Sequence, residues 1–196
     1  MKKLFILLLV FSSCKNEVYY YPSKSFFDEN NPQEISIDDL NFEEIIDTVS
    51  NKIFKKERLY ITLLDKNKEI KISPFTYSGG FIKERNGLEI NNDSIYILDK
   101  RFPKSDMQKY FKLHYENNSR IEHFSTSPNY AFIKIVLRRN EEGKKLKKML
   151  LEIIKNFEDS NIENKESIDL SIMLSLPLDT EFSDIPPPPK FLEIDD

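Results

Sequence analysis

Ala131-Phe132-Ile133-Lys134-Ile135-Val136-Leu137 decides the fold, read together with the helical run that follows it. All but Lys134 are apolar and three are β-branched, which predicts a strand buried on both faces at the centre of a sheet. A polar turn, Arg138-Arg139-Asn140, leads into residues 141–157. There Leu146, Met149, Leu150, Ile153, Ile154 and Phe157 recur at helical spacing and make one apolar stripe. Beyond it, Ile168, Leu170, Ile172, Leu174 and Leu176 alternate with Asp169, Ser171, Met173 and Ser175, the period of a strand with one buried face. The last strand is expected at a sheet edge, where it would pair with a second copy. Strands alternating with helices imply α/β (α+β), a two-layer sandwich with helices on one face of a mixed sheet.

Working outward, residues 104–116 carry Met107, Tyr110, Phe111 and His114 on one helical face. In residues 41–55, Phe42, Ile45, Ile46, Val49 and Ile53 have the same spacing, and Asn41 with Glu44 forms a candidate N-terminal cap. Residues 59–64 and 69–72 read as strands joined by the turn Asp65-Lys66-Asn67-Lys68. Gly79, Gly80 and Gly87 fall in one stretch, so residues 77–93 are expected to form an inserted loop or small hairpin. Strands at 88–90 and 94–98 would close it. The α/β domain is thus placed at 39–176. Residues 14–38 lack a sustained period and read as a tether, and 177–196, with four consecutive prolines among acids, as an extended acidic tail.

The amino terminus has its own pattern. Lys2 and Lys3 precede an apolar run at 4–11, the small pair Ser12-Ser13 and the only cysteine, Cys14. That is the layout of a secretory signal peptide over residues 1–13, and the run is too short to cross a bilayer as a helix. Leu9-Val10-Phe11-Ser12-Ser13-Cys14 resembles the lipobox of bacterial lipoproteins, with Phe11 where an aliphatic residue is more usual. The resemblance implies cleavage before Cys14, fatty acid (palmitate) on the new terminus, and a membrane partner reached through that lipid. It places the protein in a bacterial membrane, the outer in preference to the inner, with the domain facing the periplasm or the cell surface. The net charge of −4 becomes −6 once the two signal lysines are lost, which argues against a nucleic-acid partner.

From about residue 59 to 176, the expected order of two strands, a helix, a strand, a helix and a strand resembles the periplasmic domain of ExbD/TolR biopolymer-transport proteins. Ser127-Pro128-Asn129-Tyr130-Ala131-Phe132-Ile133-Lys134-Ile135 and Arg138-Arg139-Asn140-Glu141-Glu142-Gly143 carry the local likeness. The resemblance implies a dimerising fold and an envelope setting. ExbD and TolR have a membrane helix with an acidic residue that serves proton-driven transduction; no residue here inherits that role.

For catalysis the sequence offers little. His114 and His123 are nine apart, not the spacing of a metal pair; no serine has a nucleophile-elbow setting and no glycine loop resembles a phosphate cradle. No cofactor or metal is implied, and His114 reads as a core histidine. Arg138, Arg139, Lys144, Lys145, Lys147 and Lys148 stand out in an acidic chain. They read as a solvated helix face, with a docking patch for anionic headgroups or an acidic partner as the alternative. The leading expectation is a non-enzymatic envelope lipoprotein that binds a protein partner or itself. The other is a small envelope hydrolase or ligand-binding lipoprotein with its site near 77–93, recognisable by a deep pocket holding His114 or His123 against a carboxylate.

Overall fold

Two sheets share one hydrophobic core in the computed structural model, which describes residues 17–98 and 100–177. In chain order the elements are β1 (Glu17–Tyr21), α1 (Lys24–Asn30), β2 (Gln33–Glu34), α2 (Phe42–Phe54), β3 (Leu59–Asp65), β4 (Lys68–Ile72) and β5 (Phe75–Thr76). Then follow β6 (Gly87–Ile90), β7 (Ser94–Ile97), β8 (Lys100–Pro103), α3 (Met107–Glu116), β9 (Phe132–Val136), α4 (Gly143–Asp159) and β10 (Ser171–Ser175). The smaller sheet has the order β1-β4-β3-β2 and the larger β5-β10-β9-β6-β7-β8. The mixed α/β class holds, but the single sheet of the sequence reading is two.

The local signals act as physical chemistry predicts. Asn41 Oδ1 accepts from Glu44 N while Glu44 Oε2 accepts from Asn41 N, a complete capping box that starts α2. The whole α4 stripe from Leu146 to Phe157 is buried, and the helix lies against α2, α3 and β3. Its entry is tight: a Cβ on Gly143 would sit 1.7 Å from Ile37 O, so only glycine lets this helix start meet the backbone at 37–40. Strand β9 is central as expected, parallel to both β10 and β6.

Four expectations are corrected. Residues 17–38 are no tether: β1 pairs in parallel with β4, β2 pairs with β3, and Ile37 has no exposed surface. Elements this short are stabilised by partners distant in sequence, so they leave no local period. The 77–93 insertion shrinks to a loop at 77–83, since β6 is an inner strand of the large sheet, hydrogen-bonded to β9 and β7. Strand β10 is not an edge, because β5 pairs with Met173 and Leu174; that closes the proposed route to a dimer. Finally, the hairpin β3–β4 lies in the small sheet, and three strands, β6 to β8, precede α3, so the element order departs from the one that suggested ExbD/TolR. Cys14 and residues 178–196 lie outside the described residues.

Candidate functional site

Alternation along the parallel strands sorts the large sheet into two faces. Ile133 and Ile135, Ile172 and Leu174, and Leu88 and Ile90 are buried in the core. Phe132, Lys134, Val136, Ser171, Met173, Ser175, Gly87 and Glu89 point the other way, onto a face that a groove crosses. Its floor is nearly closed to water at Phe132 and Met173 and polar in the middle, where Lys134 and Glu89, neighbours in the β9–β6 register, form an ion pair at 2.8 Å.

The groove changes character along the strands. At their amino ends it widens to about 480 Å³ between Phe75, Phe81, Ile82, Tyr130 and Phe132. The rim there is aromatic and wet, with Phe81 89% exposed and Tyr130 67%, and Tyr77, 58% exposed, stands over the adjoining middle section. Gly79 and Gly80, at φ +100° and +98°, shape the loop that carries Phe81, and Tyr77 Oη donates to Gly80 O at 2.6 Å. At the carboxyl ends a second widening of about 390 Å³ is polar, between Asn91, Asn92, Asp93, Tyr96 and Arg138. The middle section shares Ile82 and Phe132 with one end and Glu89, Tyr96 and Lys134 with the other, so the trough is continuous.

A buried polar network backs the apolar end. Asn86 Oδ1 accepts from Ser125 Oγ, Thr126 N and Thr126 Oγ1, and Asn117 Nδ2 donates to the carbonyls of Ile121 and Ser125. His114, 1% exposed, belongs to this wall: its Nε2 lies 3.1 Å from Asn86 O. Burial pushes its pKa down to about 4, against hydrogen bonding with the Asn86 and Phe132 backbone, so the ring is neutral at pH 7. It faces carbonyls rather than a carboxylate, and neither His114 nor His123 lines the groove. Among the described residues, no group of three or more His, Cys, Asp or Glu could hold a metal.

The six basic residues do not converge. Arg139 pairs with Glu43, Lys145 with Glu141 at 2.7 Å and Lys147 with Asp38 at 2.7 Å. Lys145 and Asn92 hydrogen-bond Glu141 and hold its carboxyl below the usual range despite its partial burial. Lys144 and Lys148 stay exposed on α4, whereas Arg138 joins the polar end of the groove. Acids interleaved with the lysines dilute the local potential, which fits a solvated helix face better than an anion dock.

Sequence reading therefore found part of this site, since Phe81 and Ile82 lie in the segment named for the alternative function. It missed Phe132 and Tyr130 as their partners. The available signal was aromatic residues within stretches rich in glycine, serine and asparagine, where no helical or strand period would bury them. Fold and groove together define an α+β protein with an open, amphipathic trough on a sheet face. No family model matches the chain, and comparison with curated proteins and with solved structures returns no match.

Proposed function

We propose that this protein is a lipid-anchored envelope recognition module, held to a bacterial membrane through Cys14, whose trough binds an extended segment of a partner protein. The observation that carries the reading is the continuous groove, apolar and aromatic at one end, charged in the middle and polar at the other. An extended peptide presents side chains alternately along such a surface, and exposed tyrosine and phenylalanine rings are the residue types that dominate recognition sites. A link to ExbD/TolR-type transport systems belongs to the same proposal, supported by the Ser127 to Gly143 sequence likeness around a central strand and helix.

The volume at the apolar end falls in the range of small-molecule sites, which favours a second reading, a lipoprotein that carries an amphiphilic ligand. Photo-crosslinking amino acids at Tyr130 and Phe81, with Lys148 on α4 as control, separate the readings in the full chain in its native membrane. Covalent adducts with one protein segment from the groove positions alone support peptide recognition. A small-molecule adduct supports the second reading, and equal yields at all three positions rule out the groove as the site.

A further inference from the structure

The structure leaves almost no chain between Cys14 and the folded domain. Only Lys15 and Asn16 separate that cysteine from Glu17, the first residue of β1. Three residue steps span at most about 11 Å. Glu17 N donates to Asn67 O at 3.2 Å, so the start of β1 is fixed beside the β3–β4 turn. A headgroup layer is roughly 5–8 Å thick on each side of the hydrocarbon core. An acyl-bearing Cys14 therefore holds this end of the small sheet at the membrane surface.

The same end carries uncovered apolar surface. On the sheet face that turns away from the shared core, Val18 and Leu64 flank Glu69 in register and are 37% and 69% exposed. Helix α1 covers the far end of that face, where Phe27 packs on Tyr20 and Tyr60 with ring centroids 5.0 and 5.5 Å apart, and stops short of Val18 and Leu64. Lys68 Nζ lies 4.6 Å from the Tyr19 ring centroid, and Lys66 stands exposed in the turn. Lysines beside an apolar tip suit a bilayer interface, with their aliphatic stems against the tip and their ammonium groups reaching to water.

We infer that the tip formed by Val18, Leu64, Lys66 and Lys68 is a membrane-contact surface that docks the domain directly on the bilayer holding the Cys14 lipid. The inference rests on the lipid-anchor reading above. Glu17 and Asp65 balance Lys66 and Lys68 at the tip, and Glu69 between Val18 and Leu64 is paired with Lys71 at 3.3 Å, so the surface carries no net charge and its contact is independent of anionic lipid.

The chain contains no tryptophan, so a single one reports its own depth. Full-length protein, with Cys14 acylation verified by mass, is reconstituted in vesicles of brominated phosphatidylcholine and phosphatidylethanolamine. It carries either Leu64→Trp or, as control, Phe54→Trp, which replaces a 90% exposed residue beyond the opposite end of β3. Leu64→Trp is expected to lose most of its emission and Phe54→Trp to keep it, unchanged when phosphatidylglycerol is added. A flexible spacer inserted after Asn16 should restore the Leu64→Trp emission without loss of acylation. Acylated, vesicle-bound protein in which both tryptophans stay bright, or both are quenched alike, overturns the docking surface and leaves the anchor standing. An unacylated Cys14 overturns the anchor, and the docking surface with it.

Discussion

His114 shows how one residue couples the core to pH. Its folded-state pKa lies near 4 against 6.5 for the free side chain, because burial penalises the charged ring. The unfolded chain therefore binds a proton between those values that the folded protein refuses, and stability falls as pH drops through that window. About 2 kcal/mol should be lost between pH 8 and pH 5 from this group alone. The check is urea denaturation at both pH values, with His114→Gln beside the wild type; the variant has no ring to titrate and should show a flatter dependence. The sequence placed His114 on the buried face of a helix. It did not reveal the carbonyl that receives its N–H, because Asn86 reaches it from 28 residues away in the chain.

At the level of elements, α4 is the case where periodicity alone sufficed. Its apolar stripe is long enough to fix the helix phase, and Ile153 is fully buried while Lys148 is exposed. Ile153→Asp should unfold the domain, since an unpaired buried carboxylate costs several kcal/mol against a total stability of about 5–15. Lys148→Asp should melt close to the wild type. Circular dichroism melts of the two variants decide this, and equal midpoints would show the phase to be wrong. Strand β10 is the contrasting case: its alternation was legible, yet its neighbour β5 is two residues long and has no period at all.

For the whole molecule, the consequence is that the amino-terminal segment is structural. Removal of residues 17–38 takes away Tyr21, Phe27 and Ile37, each buried, together with the β1 and β2 pairings and the Tyr21 Oη hydrogen bond to Glu158 on α4. Each large apolar side chain contributes about 1.5–3 kcal/mol when fully buried, so the deletion should cost several kcal/mol. A tether would cost nothing. Chemical denaturation of the protein starting at Glu17 against one starting at Asp39 separates the two outcomes.

Local pattern was enough for the elements with a period of their own: α2 with its capping box, the β3–β4 hairpin, the buried face of α3, and the β9-α4-β10 succession. Those follow from interactions a few residues apart, which a one-dimensional pattern records. Two sheets in place of one, the folding of 17–38, the inner position of β6 and the meeting of Phe81 and Tyr130 at one groove emerge in three dimensions. Each of these depends on backbone pairing or contact between segments far apart in the chain. A strand of two to five residues gains its stability from the partner it meets, and its own sequence does not say which partner that is.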